Sequence, residues 1–528
     1  MASRLKQNLV VSSGTAVSRL TGLVRVAVLG AVLGTPSAVA DAYDLANGTP
    51  NMVYELMIGG VLSAGLTPLL TQLRHADDEE GTSAVMTVST IALVAFTVVA
   101  VLAAPFIFHL YSLMTSSSVD AAQYRRVGGS LARIFLVQIF FYGINALATS
   151  ALNANRRFTA ASWFPALSNL VIIVSLLMVP TVAHHRAPTL SDLESNTSLR
   201  LLLGWGATVG IAVMALSLAP LALRNQQRLR LLPSFRHPAV ARLRTMTKWA
   251  LGFAVTNQIT LVFVRNLLRG GSGDMFAYSR AQLWFMLPHA LLAMSITTTF
   301  LPDMTKLVID RKRRELIEQS SLGVRLIALV TIPAGFGLFV LRRSIIGAVF
   351  QHGHASAADA LLTSRALAGF SLGLAGFSIY MFSLRVFYAH QDTRSPFVIN
   401  TFENIVNIVL GIVLSHYFGI IGLAASFAIA YVVSAIFTMH ALAYRLHWFD
   451  LRRIYTSIAR MIIASVLMAE FVWGVARTVG ANAGLGAVVR VGVGTVLGTA
   501  VYVTVLRLLG SEELTLVTDR LRKVGSRS

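Results

Sequence analysis

Apolar residues run along this chain in blocks of about twenty, separated by short polar stretches that hold most of its charge. A helix rises about 1.5 Å per residue, so a block of that length crosses the roughly 30 Å hydrocarbon core of a bilayer. The pattern predicts fourteen spans, near residues 8–33, 42–72, 84–113, 129–153, 160–183, 200–223, 247–268, 276–305, 322–350, 363–388, 396–417, 420–444, 455–476 and 486–508. No stretch between them is long enough to bury a core of its own. The expected fold is an all-α polytopic membrane protein.

Charge assigns the sides. Arg4 and Lys6, Arg156 and Arg157, the run from Arg224 to Lys248, Arg311 to Arg314, Arg452 and Arg453, and Arg520 to Lys523 all fall on one side of an even span count. Lys and Arg collect in cytoplasmic loops, so both termini are expected in the cytoplasm. The opposite loops carry few bases, mainly Arg125, Arg126, Arg186 and Arg269, with acidic Asp192 and Glu194. The first span starts near Met1 without a small-residue cleavage site and reads as retained.

The chain also resembles itself. "NANRRFTAASWFPALSNLVIIV" from Asn153 aligns without gaps on "YAHQDTRSPFVINTFENIVNIV" from Tyr388, an offset of 235 that pairs Asn169 with Asn404. "TPLLTQL" from Thr67 aligns on "LPDMTKL" from Leu301 at an offset of 234, pairing Pro68 with Pro302. Two concordant offsets imply a duplication. Each offset spans six helices, so both copies keep one orientation and are expected to be related about the membrane normal. The predicted architecture is a six-helix lobe over 1–230, a second over 231–448, and two further helices with a tail over 449–528. Two such lobes suit a transporter that rocks about a central cavity.

Composition agrees and excludes other classes. The chain is 55% hydrophobic and 13% charged. Its net charge of +21 lies in loops that set topology, so nucleic acid is not expected as a partner. With no cysteine there is no disulfide, thiolate nucleophile or thiolate metal site. GxSxG, HExxH and P-loop motifs are absent, and the pairs His184/His185 and His352/His354 lie in loops, so no enzyme is expected.

Ionisable groups at bilayer depth are expensive and mark candidate sites. Arg19 and Arg25 lie in the first span, about 9 Å apart along the helix and about 120° apart around it. Either they pair with Asp41, Asp44 or Glu55 of the second span, or they line a cavity for an anion. Phosphate is the group that arginine's planar fork holds best. Asp41, Asp44 and Glu55 either hold those arginines, exchange protons or coordinate a cation. In the eleventh span Asn400, Glu403, Asn404 and Asn407 form one stripe at i, i+3, i+4 and i+7. With Asn257 of the seventh span they offer oxygen ligands suited to a small monovalent cation, unless they only hydrogen-bond neighbouring helices.

These residues sit in segments that resemble the MurJ/MviN family of lipid II flippases, within the MOP superfamily that also holds MATE exporters. The segments are "SRLTGLVR" from Ser18, "DAYDLANGTPNMVYELMIGGVLSAGLTPLL" from Asp41, "FFYGINALATSALNANRRF" from Phe140, "AQLWFMLPHALLAMSITTTFLP" from Ala281, and the stretch from Phe350 to Phe397. The resemblance runs from about residue 8 to 508. It implies fourteen helices in two lobes, a groove for the lipid tail formed by the last two, and outward movement of the undecaprenyl-pyrophosphate-linked peptidoglycan precursor by alternating access. Arg19 and Arg25 match first-helix arginines associated with the pyrophosphate, and Asp41 and Asn51 match further motif positions. Val53, Tyr54 and Glu55 stand where many members carry an arginine pair. Leu283 stands where many carry another arginine, with Arg280 one turn earlier.

The implied partners are lipid II, membrane lipids and cell-wall synthesis proteins, and the implied location is a bacterial cytoplasmic membrane. No cofactor is expected; sodium or proton coupling and the membrane potential are the candidate driving forces. A flippase for another polyprenyl-pyrophosphate glycan, a MATE-like exporter and a non-transporting cell-wall scaffold are the alternatives.

Overall fold

The computed structural model describes residues 2–34, 37–56, 66, 69–70, 72–73, 76–154, 159–184, 186–223, 230–351, 357–390, 392–446 and 450–525. In chain order the helices are α1 Ala2–Leu33, α2 Ala38–Leu56, α3 Glu79–Leu102, α4 Ala104–Tyr111, α5 Ala121–Leu136, α6 Gln138–Ala154, α7 Thr159–Leu177, α8 Val179–Val182, α9 Leu190–Ser195, α10 Thr197–Leu223 and α11 Pro238–Leu267. Then follow α12 Asp274–Pro288, a π-helical turn His289–Ala293, α13 Met294–Ile309, α14 Arg313–Phe350, α15 Ala357–Ser371, α16 Leu374–Ala389, α17 Arg394–Leu446, α18 Leu451–Thr478, α19 Gly484–Leu508 and α20 Glu512–Gly525.

The described residues of every predicted span are mostly helical, with breaks inside spans at Ala103, Val137, Met178 and 372–373. Among the described residues nine helical segments are long and apolar enough to cross a bilayer, and α15 with α16, bent by 50°, makes a tenth. The 53-residue α17 carries two predicted spans that reverse at Gly419 (φ 57°, ψ −135°), a conformation open to glycine and strained for other residues. The remaining predicted spans lie on α1, α2 and α11, whose apolar runs are interrupted by Arg19 and Arg25, by Asp41 and Asp44, and by Arg242, Arg244 and Lys248. The architecture is consistent with fourteen spans.

The duplication is written in the backbone. Left-handed residues recur at the repeat offset: Gly34 (φ 71°) with Arg269 (φ 50°), Asp77 (φ 50°) with Arg311 (φ 56°), and His184 (φ 52°) with Gly419. The turn at 76–79 donates from Ala76, Asp78 and Glu79 to the carbonyls of Gln72, Leu73 and Asp77. Asp310, Lys312 and Arg313 repeat this on Lys306, Leu307 and Arg311. The break between α5 and α6 at Val137 likewise recurs between α15 and α16 at 372–373.

Packing divides the chain into two compact units, one built on Met1–Phe276 and the other on Ala277–His352 and Ser356–Ser528. Helix α11, which the repeat places at the head of the second copy, packs within the first unit against α3 and α4. The second unit has a dense aromatic core in which Phe285, Phe370, Phe377, Phe427 and Tyr431 meet largely edge to face. There α18 and α19 pack on α14.

Candidate functional site

In the first unit α1 is held against α7 by Asn169, whose amide donates to the Ser18 carbonyl and the Thr21 hydroxyl, both at 3.1 Å. This contact brackets Arg19. Arg19 is exposed and Arg25 half-buried. Among the described residues neither has a carboxylate within ion-pair distance. Arg25 lies close enough to Tyr43 of α2 to act electrostatically on its hydroxyl.

Asp41 and Asp44 of α2 are engaged elsewhere. Asp41 is fully buried; its Oδ2 accepts the N–H groups of Gly271 (3.1 Å) and Gly273 (2.7 Å), and its Oδ1 that of Phe276 (3.0 Å). The carboxylate thus caps the start of α12, where backbone N–H groups have no partner within the helix. Gly271 and Gly273 lie at φ 85° and 87°, and a Cβ on Gly271 would come within 2.7 Å of Val119. Asp44 pairs with Arg265 of α11 at 2.8 Å. Next to it Asn266 accepts the Met114 N–H at 3.0 Å and donates to the Leu110 carbonyl at 2.9 Å. The side chains of Asn51 and Glu55 lie outside the described residues.

Sequence reasoning missed Arg265 as the partner of Asp44. Arg265 falls at the edge of the seventh predicted span, where snorkelling to the interface is the ordinary explanation of a cation. Only folding across 221 positions brings the two together.

In the second unit the α17 stripe is enclosed. Asn400, Glu403, Asn404 and Asn407 are each 5% exposed or less, so this face is turned away from lipid. Asn404 donates to the Asn400 carbonyl at 2.8 Å, and Asn407 accepts the Ser426 hydroxyl at 3.2 Å. Glu403 Oε1 has no hydrogen-bond partner among the described residues. The hydroxyls of Tyr380 and Tyr431 lie within its electrostatic reach. A buried carboxylate oxygen without a donor, beside amide and phenol oxygens, fits a proton or a small hard cation. Among the described residues no three His, Asp or Glu side chains cluster as a metal site would require. Asn257 belongs to the first unit and is exposed. Arg280 is 2% exposed, with its guanidinium 4.5 Å from the Phe350 ring centroid.

Also in the second unit, Arg325 of α14 pairs with Glu513 of α20 at 2.5 Å, and both side chains are 5% exposed or less. Ser457 and Ser511 donate to the same carboxylate at 2.8 and 2.9 Å. Burial raises the pKa of Glu513, yet its own backbone N–H, Ser457, Ser511 and Arg325 together hold it below the usual carboxylate range.

The family model described as lipid II flippase MurJ matches residues 29–494. The probable lipid II flippase MurJ of Vibrio cholerae serotype O1 is 26% identical over 96% of each chain. The lipid II flippase MurJ of Burkholderia cenocepacia is 26% identical over 74% of each. Among solved structures, a lipid II flippase MurJ in an inward closed conformation superposes with a TM-score of 0.76 at 20% identity, covering 95% of this chain and 98% of that one. At that identity the likeness shows the fold alone.

Proposed function

The chain belongs to the lipid II flippase MurJ family, and on that premise we propose that it moves lipid II from the inner to the outer leaflet of a bacterial cytoplasmic membrane by alternating access. The observation that carries this reading is the pair of α1 cations, Arg19 and Arg25, which have no carboxylate of their own among the described residues. Two guanidinium forks at bilayer depth suit a desolvated pyrophosphate. An exporter of cationic drugs would need carboxylates at that place. Asp41 supports the site by fixing the 271–276 turn against α2, and Asn51 and Arg280 are secondary candidates for the headgroup.

The loop arginines and lysines put both termini in the cytoplasm. The lobes 1–230 and 231–448 rock, and 449–528 adds the two further spans. Glu403, with Asn400, Asn404 and Asn407, is the candidate site for a coupling sodium ion or proton. The membrane potential supplies a further drive, about 2.3 kcal/mol per charge per 100 mV for an anionic headgroup leaving an interior-negative cell.

The test is replacement of the resident flippase of a conditionally depleted bacterium by this chain. Growth should be restored and lipid II should reach the outer leaflet. Lysis at normal membrane abundance, with lipid II trapped inside, would overturn the reading. If a different polyprenyl-pyrophosphate glycan appears outside instead, the substrate assignment is wrong and the fold-level mechanism stands.

A further inference from the structure

At one end of the second unit a cavity of about 420 Å³ lies beside the 310–313 turn and the last turns of α16 and α17. Its lining carries three arginines, Arg311, Arg313 and Arg445, beside His390, while Leu307 and Leu446 supply apolar wall. The volume is that of a small-ligand pocket.

The charges around it are sorted. In the run Arg311 to Arg314, Lys312 pairs with Glu315 at 3.0 Å and Arg314 with Glu318 at 3.5 Å; neither of these bases lines the cavity. Arg445 is neutralised by Asp392. Arg311 and Arg313 do line it, and among the described residues neither has a carboxylate at ion-pair distance. Arg313 Nε donates to the Leu446 carbonyl at 3.0 Å, which holds the guanidinium in place. His390 Nδ1 lies 2.9 Å from the Val386 carbonyl, so that nitrogen is committed as donor.

The first copy shows that the fold does not demand these cations. Its equivalent turn has the same hydrogen bonds and the same left-handed residue, but reads Asp77, Asp78, Glu79, Glu80. Topology rewards positive charge in cytoplasmic loops generally. It does not require two arginines without acidic partners to share one cavity, nor an arginine at φ 56°, where glycine would be unstrained.

We propose that this cavity binds a phosphate anion carried by the headgroup of an anionic membrane phospholipid, with Arg311 and Arg313 on the phosphate and Leu307 and Leu446 against the glycerol and first acyl carbons. A soluble phosphate would meet the same cations but gain nothing from the apolar wall. The inference does not depend on which lipid-linked glycan is moved.

The test is native mass spectrometry and thermal unfolding of the purified full chain, with phosphatidylglycerol, phosphatidylcholine and inorganic phosphate as probes. Arg311→Gly removes a cation while relieving the left-handed backbone, so this variant is expected to fold at least as well as the wild type. Wild type should retain phosphatidylglycerol over phosphatidylcholine. Arg311→Gly and Arg313→Gln should each weaken that retention about tenfold or more. Arg314→Gln, the same loss of charge just outside the cavity, should leave it unchanged. Equal retention by wild type and both cavity variants, or an equal loss in Arg314→Gln, would overturn the proposal. Protection by inorganic phosphate matching that by the lipid would reject the headgroup as the source.

Discussion

The two copies of the repeat keep one backbone and opposite charges. The turn at 77–80 is wholly acidic and its counterpart at 311–314 wholly basic, though their hydrogen bonds coincide. On α7 the positions of Pro165, Ser168, Asn169 and Ile172 correspond to Asn400, Glu403, Asn404 and Asn407 of α17, so Glu403 has no acidic counterpart in the first copy. Conversely, Arg19 and Arg25 correspond to Ala254 and Thr260, so the α1 cations belong to the first. Left-handed turns and helix breaks are demands of chain geometry, and both copies meet them. Charge is free of that demand, and its divergence marks where each half has taken on separate chemistry.

The sharpest break in that comparison comes at α1. On the proposed function, Arg19→Ala and Arg25→Ala would each remove charge-assisted bonds to a desolvated pyrophosphate, about 1.5–3 kcal/mol apiece. The double variant should fail to support growth of the depleted bacterium at normal membrane abundance. Adding Ala254→Arg or Thr260→Arg should not restore it, because the proposed site rests on the α1 cations, with Arg280 the second copy's secondary contribution. Normal growth of the double variant would remove the functional meaning of the charge divergence.

A smaller but still large effect is expected at α14. Ile91 of the first copy is exposed, and its counterpart is Arg325, buried under α20. Glu513→Ala removes the near, buried partner of that guanidinium and leaves only Glu512 at 3.6 Å, at a cost of up to about 3–5 kcal/mol, read as a fall in the thermal midpoint. Arg325→Ile with Glu513→Leu should recover most of it. Because the folded pKa of Glu513 is depressed, its contribution is present above the unfolded value near 4.3 and is lost as pH falls through the folded one. Docking of α20 should therefore hold at neutral pH and loosen only in acid. Loosening near pH 7 would contradict the pairing.

Next comes the α17 stripe. If Glu403 holds sodium, replacing choline by sodium should raise the unfolding midpoint of the wild type, by up to about 2.7 kcal/mol at a hundredfold excess over the dissociation constant. Glu403→Gln should abolish the rise, while Ser168→Ala in the first copy should leave it intact. A pH-dependent shift without a sodium effect would assign the carboxylate to a proton. Absence of both would return the stripe to helix packing.

Much of this was legible before folding. Hydropathy located the helices, the offsets of 235 and 234 revealed the duplication, and the 3.6-residue period placed Asn400, Glu403, Asn404 and Asn407 on one buried face. What stayed hidden depends on tertiary approach or on dihedral angles. Asp41 reads as an intramembrane acid awaiting a cation, yet it binds three backbone N–H groups presented by a glycine turn 230 residues away. Arg325 lies near the start of the ninth predicted span, and only folding brings Glu513 to it from the last helix. Asn169 and Asn404 align in sequence, but only the structure shows the first bonding to α1 and the second donating to the Asn400 carbonyl one turn earlier.

The smallest expected effect tests the equivalence of the two turns themselves. Asp78 (φ −84°, ψ 82°) caps α3 by accepting the Gly81 N–H at 2.7 Å; Lys312, at φ −85° and ψ 68°, begins α14 without a side-chain cap. Asp78→Ala should lower the unfolding midpoint by the worth of one cap, about 1 kcal/mol. Lys312→Asp should raise it, since a carboxylate there meets free N–H groups and the positive end of the helix dipole. The gain should be smaller than the loss. A Cβ on Gly81 would crowd the Asp78 carboxylate to 2.4 Å, and Glu315 at the matching position carries one, so a new aspartate must adopt another rotamer. The variant also gives up the exposed Lys312–Glu315 pair, a weak interaction. Opposite signs at the two positions would show that one turn geometry serves both copies while charge is assigned separately. A fall in both would mean that the basic turn is held by contacts the acidic one lacks, and the comparison would have to be redrawn around them.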